Sequence, residues 1–203
     1  EVYLPYNVFS PDSDGQRDVL PLMQYGNDAA RWTGRIVDED GNDVIVWNWD
    51  HELPEEHQWD GTDGTGATVG DGRYRYVLTG SDDAGNSVSV GLDNLQVDTE
   101  QPGVALQRNR SAFSPDDDGI RDTVTFTPDV PEDARLLEWE FTVVDDNGNT
   151  FMERTGNDQL PEEFTFTGKT EDGVFPEGAY YPGLSVTFRN GESTSAETGS
   201  IEL

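Results

Sequence analysis

The stretch Phe9-Ser-Pro-Asp-Ser-Asp-Gly-Gln-Arg-Asp18 returns 104 residues later as Phe113-Ser-Pro-Asp-Asp-Asp-Gly-Ile-Arg-Asp122. The two copies differ only at Ser13/Asp117 and Gln16/Ile120. In each copy the oxygen donors alternate along the chain. They are Asp12, Asp14, the Gln16 carbonyl and Asp18 in the first, and Asp116, Asp118, the Ile120 carbonyl and Asp122 in the second. A loop with this rhythm folds its oxygens around one hard cation, with glycine at the sharp turn, as an EF-hand loop does at its start. Three carboxylates within seven residues repel one another unless a cation neutralises them. The expectation is a structural calcium site at the opening of each of two similar domains. Asp117 interrupts the alternation and is expected to face solvent.

Working outward from the two loops, the rest of the chain repeats as well. Asp38-Glu-Asp-Gly-Asn-Asp43 is answered by Asp145-Asp-Asn-Gly-Asn149, Trp59-Asp-Gly61 by Phe166-Thr-Gly168, and Gly72-Arg-Tyr74 by Gly178-Ala-Tyr180. The spacing stays within three residues of 104 throughout, so the chain is a tandem duplication with small loop changes. The domains are expected at 1–98 and 99–203. Val97-Asp-Thr-Glu-Gln-Pro-Gly103 is short and contains proline, which predicts a restricted joint between them.

Helix periodicity is absent, while 22 glycines and 11 prolines break the chain into short apolar or alternating runs. That cadence predicts an all-β fold of two tandem sandwiches. Strands are expected at 2–8, with room for a break near Pro5, at 19–24, 32–37, 44–49, 73–79 and 88–97, and again at 104–106, 123–126, 139–144 and 150–154. Pro21 predicts an edge or a bulge, and Asp50 to Gln58 reads as a polar loop. Asp-Gly and Asn-Gly pairs between alternating runs read as hairpin turns, not as further cation sites.

The balance of 12 basic and 42 acidic residues gives a net charge of −30. Each half carries −15, from 5 basic and 20 acidic residues in 1–98 and 7 and 22 in 99–203, so the acidity belongs to the whole surface. Such a surface repels nucleic acid and anionic membranes and leaves cations and basic groups as partners. With Lys169 the single lysine, the surface also resembles that of a chain adapted to high salt (halophilic), where screening removes the self-repulsion. There is no cysteine, so stability without disulfides falls to packing and to bound ions. No apolar run approaches about 18 residues, so membrane insertion is not expected. No secretory leader is legible, and the run from Glu1 already reads as a strand, as in a piece of a longer protein.

Catalytic signals are weak. No nucleophile elbow or phosphate-cradling loop is present, and no carboxylate pair stands out from the acidic background. The chain therefore reads as a non-enzyme. His51 and His57, with Glu52, Glu55 and Glu56, read as a solvated loop. Trp47, Trp49 and Trp59 with Tyr74 and Tyr76 read as sandwich core, with a sugar-binding platform as the alternative and Trp59 the ring in doubt.

Taken in order, the Asp loop, the Trp-bearing strand, Asp-x-x-Gly-Asn, Trp-Asp-Gly, Gly-x-Tyr-x-Tyr and Asp82-Asp-Ala-Gly-Asn86 resemble a bacterial immunoglobulin-like module. The set is similar to the C-terminal domain of the flagellar hook-capping protein and to C-terminal modules of gliding-motility and secreted surface proteins. Val97 to Pro102 resembles the joint between tandem modules of this kind. The second copy departs from the pattern at Phe166-Thr167, at Pro182 and at Arg189-Asn-Gly-Glu192. The resemblance implies an extracellular or cell-surface spacer, stalk or attachment module linked to other domains of a longer parent chain. The alternatives are an adhesion module for polysaccharide or a cell-surface protein, and a hook-cap-like assembly domain.

Overall fold

A computed structural model describes residues 1–27, 29–132, 134–170 and 173–203. The chain is all-β, as two tandem immunoglobulin-like sandwiches, and no helix occurs among the described residues. It separates into two units, Glu1–Glu100 and Gln101–Leu203, each with its own core.

Unit 1 contains β1 (Val2–Tyr3), β2 (Val8–Phe9), β3 (Leu20–Gln24), β4 (Arg31–Val37), β5 (Asp43–Asp50), β6 (Glu56–Trp59), β7 (Gly72–Ser81) and β8 (Ser87–Val97). One sheet runs β1-β3-β6 and the other β2-β8-β7-β4-β5. The run expected from Val2 to Val8 breaks in the middle, so β1 joins the first sheet and β2 the second. The period-2 alternation sets the layers. Leu20, Leu22 and Gln24 from one sheet meet Trp32, Ile36, Tyr76 and Leu78 from the other, all buried. Pro21 lies in the middle strand of its sheet, not on an edge. β1 reaches only Met23 and Gln24, so at Pro21 that strand has a single neighbour and the missing N–H costs no ladder bond. The segment read as a polar loop, Asp50 to Gln58, carries strand β6 instead. Its last residue, Trp59, pairs with Leu20 and is completely buried.

Unit 2 contains β9 (Ala105–Arg108), β10 (Val124–Asp129), β11 (Leu136–Asp145), β12 (Thr150–Asn157), β13 (Phe164–Phe166), β14 (Lys169–Thr170), β15 (Gly173–Val174), β16 (Ala179–Phe188), β17 (Ser193–Glu197) and β18 (Ile201–Glu202). Its sheets run β9-β10-β13 and β12-β11-β16-β17, with β18 also on β16. Pro182 does not interrupt its strand. β17 pairs with Gly183 to Thr187 and β18 with Ala179 and Tyr180, so Pro182 falls where one neighbour hands over to the next and no donor is required. Arg189-Asn-Gly-Glu192 turns the chain although it lacks the Asp-x-Ala-Gly-Asn pattern. Gly191 takes φ 105° and Phe188 N–H donates to the Glu192 carbonyl at 2.8 Å.

Candidate functional site

Each Asp loop rises from a buried aromatic ring at its root. Phe9 packs edge-to-face on Trp59 with centroids 5.4 Å apart, and Phe113 packs likewise on Phe166 at 5.7 Å. The Trp59 indole N–H donates to the Thr62 carbonyl at 2.9 Å. Beside it, Gly61 holds φ 72° against Pro11, and a Cβ there would lie 2.6 Å from the Pro11 ring. Glycine in the Trp-Asp-Gly motif is therefore required twice, for its backbone angle and for the close approach of the loop. Gly168, at φ 65° against Phe113, does the same in unit 2.

Above these roots the loops close with the same hydrogen bonds. Ser10 N–H reaches the Arg17 carbonyl at 3.1 Å, and Ser114 N–H reaches the Arg121 carbonyl at 2.9 Å. Asp18 accepts from the amides of Ser13 at 2.6 Å and Gly15 at 2.8 Å, and Asp122 from those of Asp117 at 3.0 Å and Gly119 at 2.9 Å. Asp12 accepts from Asp14 N–H, and Asp116 from Asp118 N–H. Gln16 and Ile120 each donate their amide to the preceding acidic residue, Asp14 and Asp118. Left-handed residues recur at every second position: Ser13, Gly15 and Arg17 in one loop, Asp117, Gly119 and Arg121 in the other. This alternation curls the chain so that its carboxylates converge.

The convergence gathers one oxygen from each of Asp12, Asp14 and Asp18 within 4.8 Å of one another, and Asp116, Asp118 and Asp122 likewise. Calcium–oxygen distances of about 2.3–2.6 Å put opposite ligands about 4.6–5.2 Å apart, so each triad spans no more than one calcium ion requires. The donors are hard oxygens alone, which suits calcium and not a soft metal. Gln16 and Ile120 appear here through their amides, and the Ile120 side chain is 67% exposed.

The two loops differ in how their flanks are tied. The Arg17 guanidinium stacks over Tyr6 at 4.5 Å, and the Tyr6 hydroxyl donates to the Val19 carbonyl at 2.7 Å. In unit 2, Asp117 faces solvent as expected, its side chain 83% exposed. Its carboxylate meets the Lys169 ammonium at 2.5 Å, which pins the loop to strand β14. Sequence reading missed both anchors. Lys169 was visible as the single lysine, but no spacing rule connects positions 52 residues apart.

The remaining candidates resolve into packing and turns. Asp38, Asp82 and Asp145 each accept from the backbone and side-chain amides of the Asn four residues later, closing hairpin turns. Those side-chain bonds hold all three carboxyls below the usual aspartate range. Asp63, which sequence reading passed over, makes a fourth turn of this kind with Thr65 and Ala67. His51 is an exposed left-handed corner at φ 62°. His57 is not in a solvated loop. It lies on β6 against the edges of Trp47 and Trp49, with centroids 4.5 and 5.2 Å away, its Nε2 is buried without a partner, and burial pushes its pKa down. Trp59, the ring in doubt, is fully buried together with Tyr76. Trp47 and Trp49, on edge strand β5, are only half-buried. The five rings thus do not form one exposed platform.

Among solved structures, a tetra-tandem repeat in the extending region of a large adhesion protein is 16% identical and covers 98% of this chain, with a TM-score of 0.41. This chain spans only 48% of that one. Fibronectin(III)-like modules of CbhA from Clostridium thermocellum are 13% identical, covering 98% of this chain and 93% of theirs, at a TM-score of 0.49. A Ca2+-stabilized adhesin of an Antarctic bacterium is 17% identical over 99% of this chain and 48% of its own, at 0.40. No curated protein matches the sequence significantly. The sequence profile of the CHU_C type IX secretion signal domain matches residues 3–91, which lie within unit 1. Similarity to a secretion signal domain marks this as a secreted or cell-surface protein.

Proposed function

We propose that the chain is a non-catalytic pair of immunoglobulin-like modules that extends or positions other parts of a larger secreted or cell-surface protein, with one structural calcium ion in the entry loop of each module. The observation that carries this reading is the agreement of the two loops in four matched amide-to-carboxylate bonds, despite the exchange of Ser13 for Asp117 and Gln16 for Ile120. Carboxylates in one such loop could reflect an acidic background. Two loops that keep the three converging aspartates while other positions drift point to a shared requirement for their oxygens. Bound calcium neutralises the triad and ties the start of β3 or β10 to the aromatic root below. That makes its role mechanical. Both histidines are occupied elsewhere, one in a corner and one in the aromatic seam. The match at residues 3–91 further supports delivery to the outside by a type IX route.

Thermal unfolding in calcium or in chelator, at fixed ionic strength and with magnesium as the screening control, tests the calcium. A ligand at one hundred times its Kd stabilises by about 2.7 kcal/mol, so the midpoint should rise measurably. Asp14→Asn and Asp118→Asn should each remove part of that response. An identical midpoint in all three conditions overturns the reading.

A further inference from the structure

Corresponding sheet faces of the two units carry opposite charge. In unit 1, β4 turns Trp32 and Ile36 inward, so Arg31 and Arg35 point outward from the larger sheet. On β7, Arg73 and Arg75 alternate with Tyr74 and Tyr76, which pack on the core. Four of the five basic residues of unit 1 thus share one outer face. In unit 2, β11 turns Trp139 and Phe141 inward and Glu138 and Glu140 outward. The registers put Glu138 in the place of Arg31, since Arg31 pairs with Asp50 as Glu138 pairs with Asn157. Glu153 and Glu197 lie on the same face, and no basic residue stands at an outward ladder position of β11, β12, β16 or β17.

The two faces differ in relief as well. Across the middle of unit 1, Val46, Arg35 and Val77 stand side by side, with Gly91 beyond them. The same row in unit 2 reads Glu153, Thr142, Gly183 and Glu197. Small residues fill its middle and a carboxylate stands at each side. Beyond its chain neighbours, a Cβ at Gly183 would meet only Thr142 Oγ1, at 3.9 Å. A ridge with a guanidinium at its centre therefore faces, in shape and in charge, a shallow saddle rimmed by glutamates. Arg31, Arg35 and Arg75 do have partners of their own, Asp50, Asp43 and Asp93, at 3.8, 3.3 and 3.0 Å. All six of these side chains are at least 40% exposed, so the pairs contribute little to stability. A guanidinium has five N–H donors, and one exposed carboxylate leaves donors for a second.

We propose that the arginine face of unit 1 docks on the glutamate face of unit 2 in a second copy of the chain. Charge selects this pairing. Two unit 1 faces would bring arginines together and two unit 2 faces would bring glutamates together, so the mixed contact alone is complementary. Such a heterologous contact joins copies head to tail. The net charge of −30 opposes the approach at low salt. At about 0.5 M ionic strength the Debye length falls to about 4 Å, which removes the long-range repulsion and leaves the pairs that docking shields. A face four strands wide and five residues long covers about 300 Å². That is small for a specific interface, so the association is weak and reversible. It adds contact between copies to the spacer role and requires no ion.

Sedimentation velocity of the full chain, from about 10 μM to about 1 mM at fixed calcium and about 0.5 M salt, tests the contact. The weight-average sedimentation coefficient should rise with concentration. Arg31→Glu with Arg35→Glu makes the unit 1 face acidic, and Glu138→Arg with Glu140→Arg and Glu197→Arg makes the unit 2 face basic. Each variant alone should associate at least about tenfold more weakly than the wild type. Mixed one to one, the two variants should associate again, because every contact between unlike copies is then complementary. A wild-type coefficient independent of concentration overturns the proposal. So does either variant associating alone at wild-type strength, or a mixture that stays monomeric. Heparin binding that Arg31→Glu with Arg35→Glu abolishes, without self-association of the wild type, overturns it in favour of a polyanion.

Discussion

Facing positions of the two units have exchanged bulk. In unit 1, Gly34 sits between the Tyr76 hydroxyl and the Trp49 ring, and a Cβ there would lie 2.6 and 2.8 Å from them. The Tyr76 hydroxyl uses that space to donate to Gln24 Oε1 at 2.5 Å. The matching residues of unit 2 are Phe141, Pro182, Gly156 and Pro128, identified by their identical ladder pairings. Phe141 stacks flat on Phe164 with centroids 4.2 Å apart. The Trp on the first core strand follows the space available. Trp32 lies over Gly80, and Trp139 leans the other way over Gly156. One fold thus carries two interiors, one with a buried Tyr–Gln hydrogen bond and one with a flat aromatic stack. The inward pattern is kept while individual sites trade size.

That exchange can be broken directly. Gly34→Phe alone puts the unit 2 ring into unit 1 without the compensating Gly and Pro. It should cost about 3 kcal/mol, read by denaturant unfolding of the full chain. If it costs nothing, the two cores are not alternative packings. Tyr76→Phe should cost about 1–3 kcal/mol, because it leaves Gln24 Oε1 buried without its donor. A neutral result would mean water replaces the bond. The smallest effect belongs to His57, which occupies the place of Phe164. Burial lowers its pKa below 6.5, so the unfolded ring takes up a proton before the folded one does. Stability is full above that value and falls as pH drops through it. The midpoint should therefore decline between about pH 7.5 and about pH 5 in the wild type and hold steady in His57→Phe. The carboxyls of the hairpin turns titrate below this window. A decline that persists in the variant would assign it to other groups.

Much of the fold was legible because it rests on local rules. Alternation placed most strands, and turns built from Asp, Gly and Asn placed the hairpins at Asp38, Asp82 and Asp145. The repeat located both Asp loops, and the converging carboxylates are those the alternation named. What escaped depended on partners distant in sequence. β6 was hidden in a polar segment because only its inward residues, His57 and Trp59, are apolar in context. Pro21 and Pro182 looked disruptive because single-chain reading cannot show where a neighbouring strand stops. The Lys169–Asp117 anchor joins elements that only folding brings together.

By itself, the sequence determined the all-β class, the duplication, the uniform negative charge and the oxygen-rich chemistry of the loops, since all of these follow from composition and short-range spacing. Only the tertiary structure decided which rings are core and which line an edge, and which of two packings each unit adopts. Those outcomes depend on how much room the opposing sheet leaves, and that room is set by residues far away along the chain.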